Sequence, residues 1–189
     1  MLPVRDDVVA IRYSVCALDR NRASEPFWKE HMGNAIAQRM TVQVEGDFVV
    51  FLVGLRIGTL WKIHRWLPVF LAMRRMAREL AADPDSGLLG QVAGARVTVQ
   101  YWRSFDHLEA YARSKAHAHW PAWVDFNKTN DGSRADVGIW HETYKVRAGE
   151  YEAFYRGVPP FGLGRVGQLM PASGQRESAR GRLEGGSGG

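Results

Sequence analysis

The clearest pattern in the chain starts at Thr41. Phe48 to Leu55 reads Phe-Val-Val-Phe-Leu-Val-Gly-Leu, apolar on both alternating sides, which predicts a strand covered on both faces. Gly58 and Thr59 break it. After Pro68, taken as the first residue of a helix, Val69, Met73, Met76 or Ala77, and Leu80 recur at helical spacing, while Arg74, Arg75, Arg78 and Glu79 fall on the other side. Asp83-Pro84-Asp85-Ser86-Gly87 is a turn. Leu88 to Val92 and Arg96 to Arg103, joined by Ala93-Gly94-Ala95, predict a hairpin. Ser104 caps a helix whose apolar side is Phe105, Leu108 and Ala112. Asn130 to Ser133 turns the chain, and Ala135 to Val146 alternates as a last strand.

From 41 to 146 the order is therefore strand, helix, strand, strand, helix, strand, the ferredoxin-like βαββαβ unit of an α+β fold. Two helices cover only one sheet face, yet the first strand is apolar on both. A second copy pairing through the sheet would cover the other face, giving a homodimer; covering in cis by residues 1–40 is the alternative. Residues 1–40 form an N-terminal extension in which Val8 to Val15 predicts a short strand and Ser24-Glu25-Pro26 opens a helix towards Met40. The domain proper spans 41–164. From Arg165 to Gly189, Gly, Ser and Arg dominate, which predicts a flexible tail dispensable for folding.

Composition narrows the class. An apolar fraction of 46% and 11% aromatics are those of a globular protein. Seven Trp residues suit a cavity wall or an interface as well as a core. The net charge of +5 is spread along the chain without a like-charge run, and no nucleic-acid recognition motif accompanies it. One cysteine, Cys16, excludes an internal disulfide and makes the cytoplasm the expected compartment. Met1 to Ala10 carries Arg5, Asp6 and Asp7 and lacks the apolar core of a secretory leader. Phe48 to Trp61, interrupted by Arg56, is too short to span a membrane.

Phosphate-binding glycine loops, zinc spacings and nucleophile elbows are all absent from the sequence. Histidines carry more information. His119 sits beside Trp120 and Trp123, a setting for a cofactor ligand or a general base, or simply for a core-edge residue. His141 and Glu142 lie mid-strand, where an ionisable pair is costly unless something uses it. Positions 137, 139, 141 and 143 share one sheet face, and Trp140, Glu142 and Tyr144 the other. Arg56 is a lone cation closing an apolar strand, or half of a salt bridge.

Four phrases carry a family resemblance: Phe51 to Arg56, Leu60 to Pro68, Gln100 to Ser104 and Gly138 to Tyr144. Together with Pro159 to Gly164 they resemble a bacterial and fungal monooxygenase-like family of the dimeric α/β-barrel superfamily, related to antibiotic-biosynthesis monooxygenases, over about residues 45–164. The resemblance implies the fold, a homodimer and a buried pocket between sheet and helices. It suggests an oxygenase acting on a hydrophobic aromatic or polyene metabolite. In that reading Tyr101, Trp102, Trp140 and Tyr144 line the pocket, His141 or His119 is the base with Glu142 beside it, and Arg56 or Arg103 holds an oxyanion. More distant relatives bind haem, which makes an aldoxime dehydratase-like or peroxidase-like enzyme with His119 as axial ligand an alternative. A non-catalytic module binding an apolar ligand is the third. The cofactor is thus either none or haem.

Overall fold

Strand-forming alternation and local capping put most elements where the sequence predicts them. The computed structural model describes residues 35–94, 96–114, 126 and 136–184. In chain order the elements are β1 (Met40–Gln43), β2 (Phe48–Ile57), α1 (Ile63–Ala82), β3 (Leu88–Ala93), β4 (Val97–Trp102), α2 (Phe105–Arg113), β5 (Val137–Val146), β6 (Gln168–Pro171) and α3 (Ala179–Glu184). Single 3-10 turns occupy Pro84–Ser86, Gly162–Arg165 and Gly174–Glu177.

β2, β3, β4 and β5 form one antiparallel sheet in the order β3-β4-β2-β5. The unit's first and third strands are thus central and its second and fourth are edges, so each helical crossover skips one strand: the chain has the ferredoxin-like fold. Ser104 caps α2 by accepting from the His107 backbone N–H at 3.3 Å. Asp83 does the same for the turn that follows α1, accepting from the Asp85 N–H at 3.0 Å.

One boundary differs from expectation. α1 starts at Ile63, and Pro68 lies inside it. Without an N–H, Pro68 leaves the His64 carbonyl unmatched within the helix. The early start follows from the turn ahead of it, where the Lys62 N–H donates to the Thr59 carbonyl at 3.3 Å and the Arg65 N–H to the Lys62 carbonyl at 2.9 Å.

Strand register fixes the two faces. Val49, Phe51 and Val53 stand opposite Trp102, Gln100 and Thr98 of β4, and Val53 and Phe51 stand opposite His141 and Thr143 of β5. This set faces the helices: Val49, Trp102, Leu80 of α1 and Leu108 of α2 form one buried cluster. The opposite face carries Phe48, Val50, Tyr101 and Val146, which pack against Val42, Val44, Tyr155, Leu163, Val166 and Leu169.

That second cluster overturns the expected flexible tail for the described residues after 165. β6 pairs with β1 in a separate two-stranded antiparallel sheet, from Met40 opposite Pro171 to Gln43 opposite Gln168. Gly167 runs so close to β1 that a Cβ there would strike the Gln43 carbonyl. Farther on, the Arg182 side chain, only 8% exposed, pairs with Glu152 at 2.7 Å and donates to the Arg176 and Glu177 carbonyls, both at 2.9 Å. The Phe154 ring contacts Arg39 and Arg182, at 5.4 and 5.5 Å from its centroid. A composition poor in apolar residues suggested disorder; backbone pairing and a buried arginine dock the segment instead.

The chain before 41 is likewise not a separate extension where it is described. The Gly157 N–H donates to the Ile36 carbonyl at 2.7 Å and the Ile36 N–H to the Val158 carbonyl at 3.0 Å, Met40 pairs with Tyr155 in both directions, and the predicted helix does not reach residues 35–40. Covering in cis therefore occurs, but through residues near 36–44 and 151–172 together, and at one end of the sheet. The expected strand at Val8 to Val15 and the start of the helix at Ser24 lie outside the described residues.

Candidate functional site

In β4 the alternation is Val97-Thr98-Val99-Gln100-Tyr101-Trp102. By polarity alone Thr98 and Gln100 belong in solvent. They are instead 9% and 7% exposed, on the face beneath the helices. Buried polar groups are retained at a cost unless they are bonded or used. Gln100 accepts from the Trp102 indole N–H at 3.1 Å. Opposite it in register is Gln91 of β3, whose amide N–H donates to the Ala77 carbonyl of α1 and whose oxygen is buried with no hydrogen-bond partner.

Tyr111 of α2 closes this region, its ring 5.8 Å from that of Trp102. Burial, and then the charge of Glu79, push its phenol up to about 12, so it stays protonated at neutral pH. Across β2, the Phe51 ring lies 5.6 Å from the His141 imidazole. The helix-side face thus carries two polar rows: Gln91, Gln100, Phe51 and Thr143 in one, and Thr98, Val53 and His141 in the next. Strands lie about 4.8 Å apart, so Thr98 and His141, two strands apart, are separated by roughly 10 Å, the width of a flat fused-ring molecule.

The residues singled out from sequence divide between the two faces. His141 is on the helix side and solvent-exposed. Trp102 is there too, but it is fully buried and packs the core. Glu142, Trp140 and Tyr144 are on the opposite face, with the Tyr144 hydroxyl donating to Glu142, a bond that holds the phenol above its ordinary pKa. The Trp140 indole lies over Gly54, where any Cβ would collide with it. Tyr101, also on that face, is wedged under the 162–165 turn; burial raises its pKa, partly offset by a backbone hydrogen bond at Leu163. Arg56 is exposed on the same face as Trp140, and Arg103 is exposed just past β4, its backbone N–H donating to the Gly87 carbonyl at 2.9 Å.

A pocket walled jointly by Tyr101, Trp102 and Trp140 is therefore not formed within this chain, because Trp102 points the other way. His119 lies outside the described residues. Sequence reasoning missed Gln91, Thr98 and Tyr111 and gave Gln100 no role. The available signal was the conflict in β4, where Trp102 shares its parity with two polar residues. Among the described residues no three His, Cys, Asp or Glu side chains gather as a metal site, and no helix is long and apolar enough to cross a membrane.

Residues 48–163 match the model of a family described as monooxygenase af470-like, covering more than half of the chain. No curated protein matches the sequence.

Proposed function

Because the chain belongs to the monooxygenase af470-like family, we propose that it is an oxygenase acting on a flat, hydrophobic, electron-rich metabolite bound between the sheet and its helices. The observation that carries this reading is the buried polar side of β4, Thr98 and Gln100, with Gln91 beside it under α1. Amide and hydroxyl groups in an otherwise apolar layer suit a ligand with an aromatic body and a few oxygens, which fix its orientation.

In this reading the substrate supplies the electrons. His141 takes a proton from an activated carbon, and the anion so formed is delocalised over the rings. The Gln100 carboxamide N–H and the protonated Tyr111 hydroxyl donate hydrogen bonds to the oxygens on which that charge collects, and the Gln91 oxygen accepts from a hydroxyl of the substrate. Dioxygen then reacts at the carbon: one oxygen atom stays as a carbonyl, the other leaves as water, and the four electrons come from the methylene being oxidised. Phe51 and the helix-side aliphatic residues keep the ring system away from water. Arg56, Trp140, Glu142 and Tyr144, on the far face, serve a second copy rather than the reaction; we propose that the homodimer forms there, over the part of the sheet left open in cis.

The test is His141→Gln, which keeps polarity and bulk but removes the ring nitrogen that takes the proton. Melting temperature should hold. Oxygen consumption on fused-ring phenols bearing an activated methylene should fall roughly 10²-fold or more, the size of a lost general base. Normal turnover would make His141 structural. A Soret band in the purified protein would assign haem chemistry instead.

A further inference from the structure

Among the described residues, four exposed large apolar side chains fall in one stretch outside the candidate site, the turn before α1 and the first half of that helix. Trp61 is 86% exposed, Leu60 56%, Leu71 54% and Ile63 52%. Large apolar groups left in water in a cluster mark an interaction surface, whereas scattered ones do not.

The cluster is built rigidly. The Trp66 indole N–H donates to the Leu60 carbonyl at 3.0 Å, the Ile63 N–H to the Trp61 carbonyl at 2.9 Å, and Lys62 pairs with Asp136 at 2.9 Å. These contacts tie the segment to α1 and to the start of β5 while Leu60, Trp61 and Ile63 point outward.

Charge decides what fits. α1 contains Arg65, Arg74, Arg75 and Arg78 against one acid, Glu79, near its far end. The helix buries the Val69, Met73, Met76 and Leu80 side, which turns Leu71, Arg75 and Arg78 outward. Arg74 lies alongside, its guanidinium 5.9 Å above the Phe70 ring. One helix side thus carries an apolar tip with an indole at its end, followed over about 20 Å by three exposed arginines, Arg74, Arg75 and Arg78, and no exposed acid of the helix. An acidic protein would satisfy the arginines but leave Trp61 and its neighbours to find a matching groove. A bilayer with anionic headgroups takes both: the apolar tip enters the acyl boundary, the indole sits at headgroup depth and the arginines stay with the phosphates.

We propose that this side of α1, with the Leu60–Ile63 turn, docks the protein on the surface of an anionic membrane. The helix lies on the bilayer and does not cross it. This surface is on the outer side of the helix layer, away from the sheet face proposed for dimerisation, so both contacts are available at once.

The test is co-sedimentation of the full chain with vesicles of phosphatidylcholine containing about one third phosphatidylserine, at about 0.1 M salt. The chain should pellet with these vesicles and far less with phosphatidylcholine alone. The double variant Arg74→Glu, Arg75→Glu should lower the partition coefficient about tenfold or more, and Trp61→Ser should lower it by a comparable factor. All three positions are exposed, so the variants should melt as the parent does. The proposal fails if the parent shows no preference for anionic vesicles, or if the variants bind as well as the parent. It also fails if the parent ignores lipid and Trp61→Ser abolishes an oligomer seen by light scattering, since the surface would then be a protein interface.

Discussion

The two faces of the four-stranded sheet are covered by different means. On one, α1 and α2 bury Trp102, Val49, Leu80 and Leu108, and also bury Thr98 and Gln100. On the other, a two-stranded sheet made from β1 and β6 covers Phe48, Val50 and Tyr101 and leaves Trp140, Glu142 and Tyr144 in solvent. The helix side accepts polar groups that a purely structural layer would replace with Val or Leu. The strand side, where it is covered, is almost wholly apolar. A stable core needs only apolar packing, so function is expected on the face that carries amides at a cost.

The largest effect that probes this contrast comes from removing the strand-side cover. Ending the chain at Gly167 deletes β6 and α3, strips β1 of its partner, removes the Arg182 side of the Glu152 pair and uncovers Val42 and Val44. The re-exposed side chains should cost on the order of 2–4 kcal/mol after the entropy regained by the lost segment. For a chain of this size that is a fall in melting temperature of roughly 5–15 °C. Scanning calorimetry of the two chains measures it. An unchanged melting temperature would mean that β6 is an appendage and that the strand face is covered by something else.

A smaller effect concerns the half of that face left open. Leu52 lies at its centre, opposite Val99 in β4 and Glu142 in β5. If a second copy docks there, Leu52→Glu buries an unpaired carboxylate at the interface and should weaken the dimer by about 2 kcal/mol, roughly 30-fold. The monomer's melting temperature should change little. Light scattering at micromolar concentration should show a dimer for the parent and a monomer for the variant. A monomeric parent would leave the open half without a second copy.

What the sequence disclosed follows the range of the forces involved. The four main strands, the hairpin and the Ser104 cap are local: periodicity and one capping side chain specify them. Parity along β5 was legible too, and it correctly separates His141 from Glu142. Which parity faces the helices was not legible, since β4 carries Trp102 and two polar residues on one side. β1 and β6 were the harder case. They are four residues each and meet across more than a hundred residues of chain. Their pairing is made by backbone groups that every sequence carries, so a Gly- and Arg-rich composition hides it. Arg182, which looks like a solvated tail residue, is the side chain that anchors the segment.

The smallest effect reports directly on how dry the helix side is. Tyr111 has its phenol pushed from 10.0 up to about 12, first by burial and then by Glu79. Below pH 10 it is neutral in both folded and unfolded chains and contributes nothing to the pH dependence. Between pH 10 and about 12 the unfolded chain ionises this tyrosine while the folded one keeps its proton. The folded state then binds more protons, so stability falls as pH rises through that window. Tyr111→Phe retains the ring against Trp102 and removes the titration. Its urea midpoint near neutral pH should stay close to the parent's, and its decline over the alkaline window should be shallower. Part of the slope should persist, because burial also raises Tyr101 and Tyr155, both on the strand side. Replacing Tyr155 by Phe instead gives the matching measurement for that side. A Tyr111→Phe decline as steep as the parent's would show that the phenol is solvated, and that the helix face is as open at this point as the exposed end of β5.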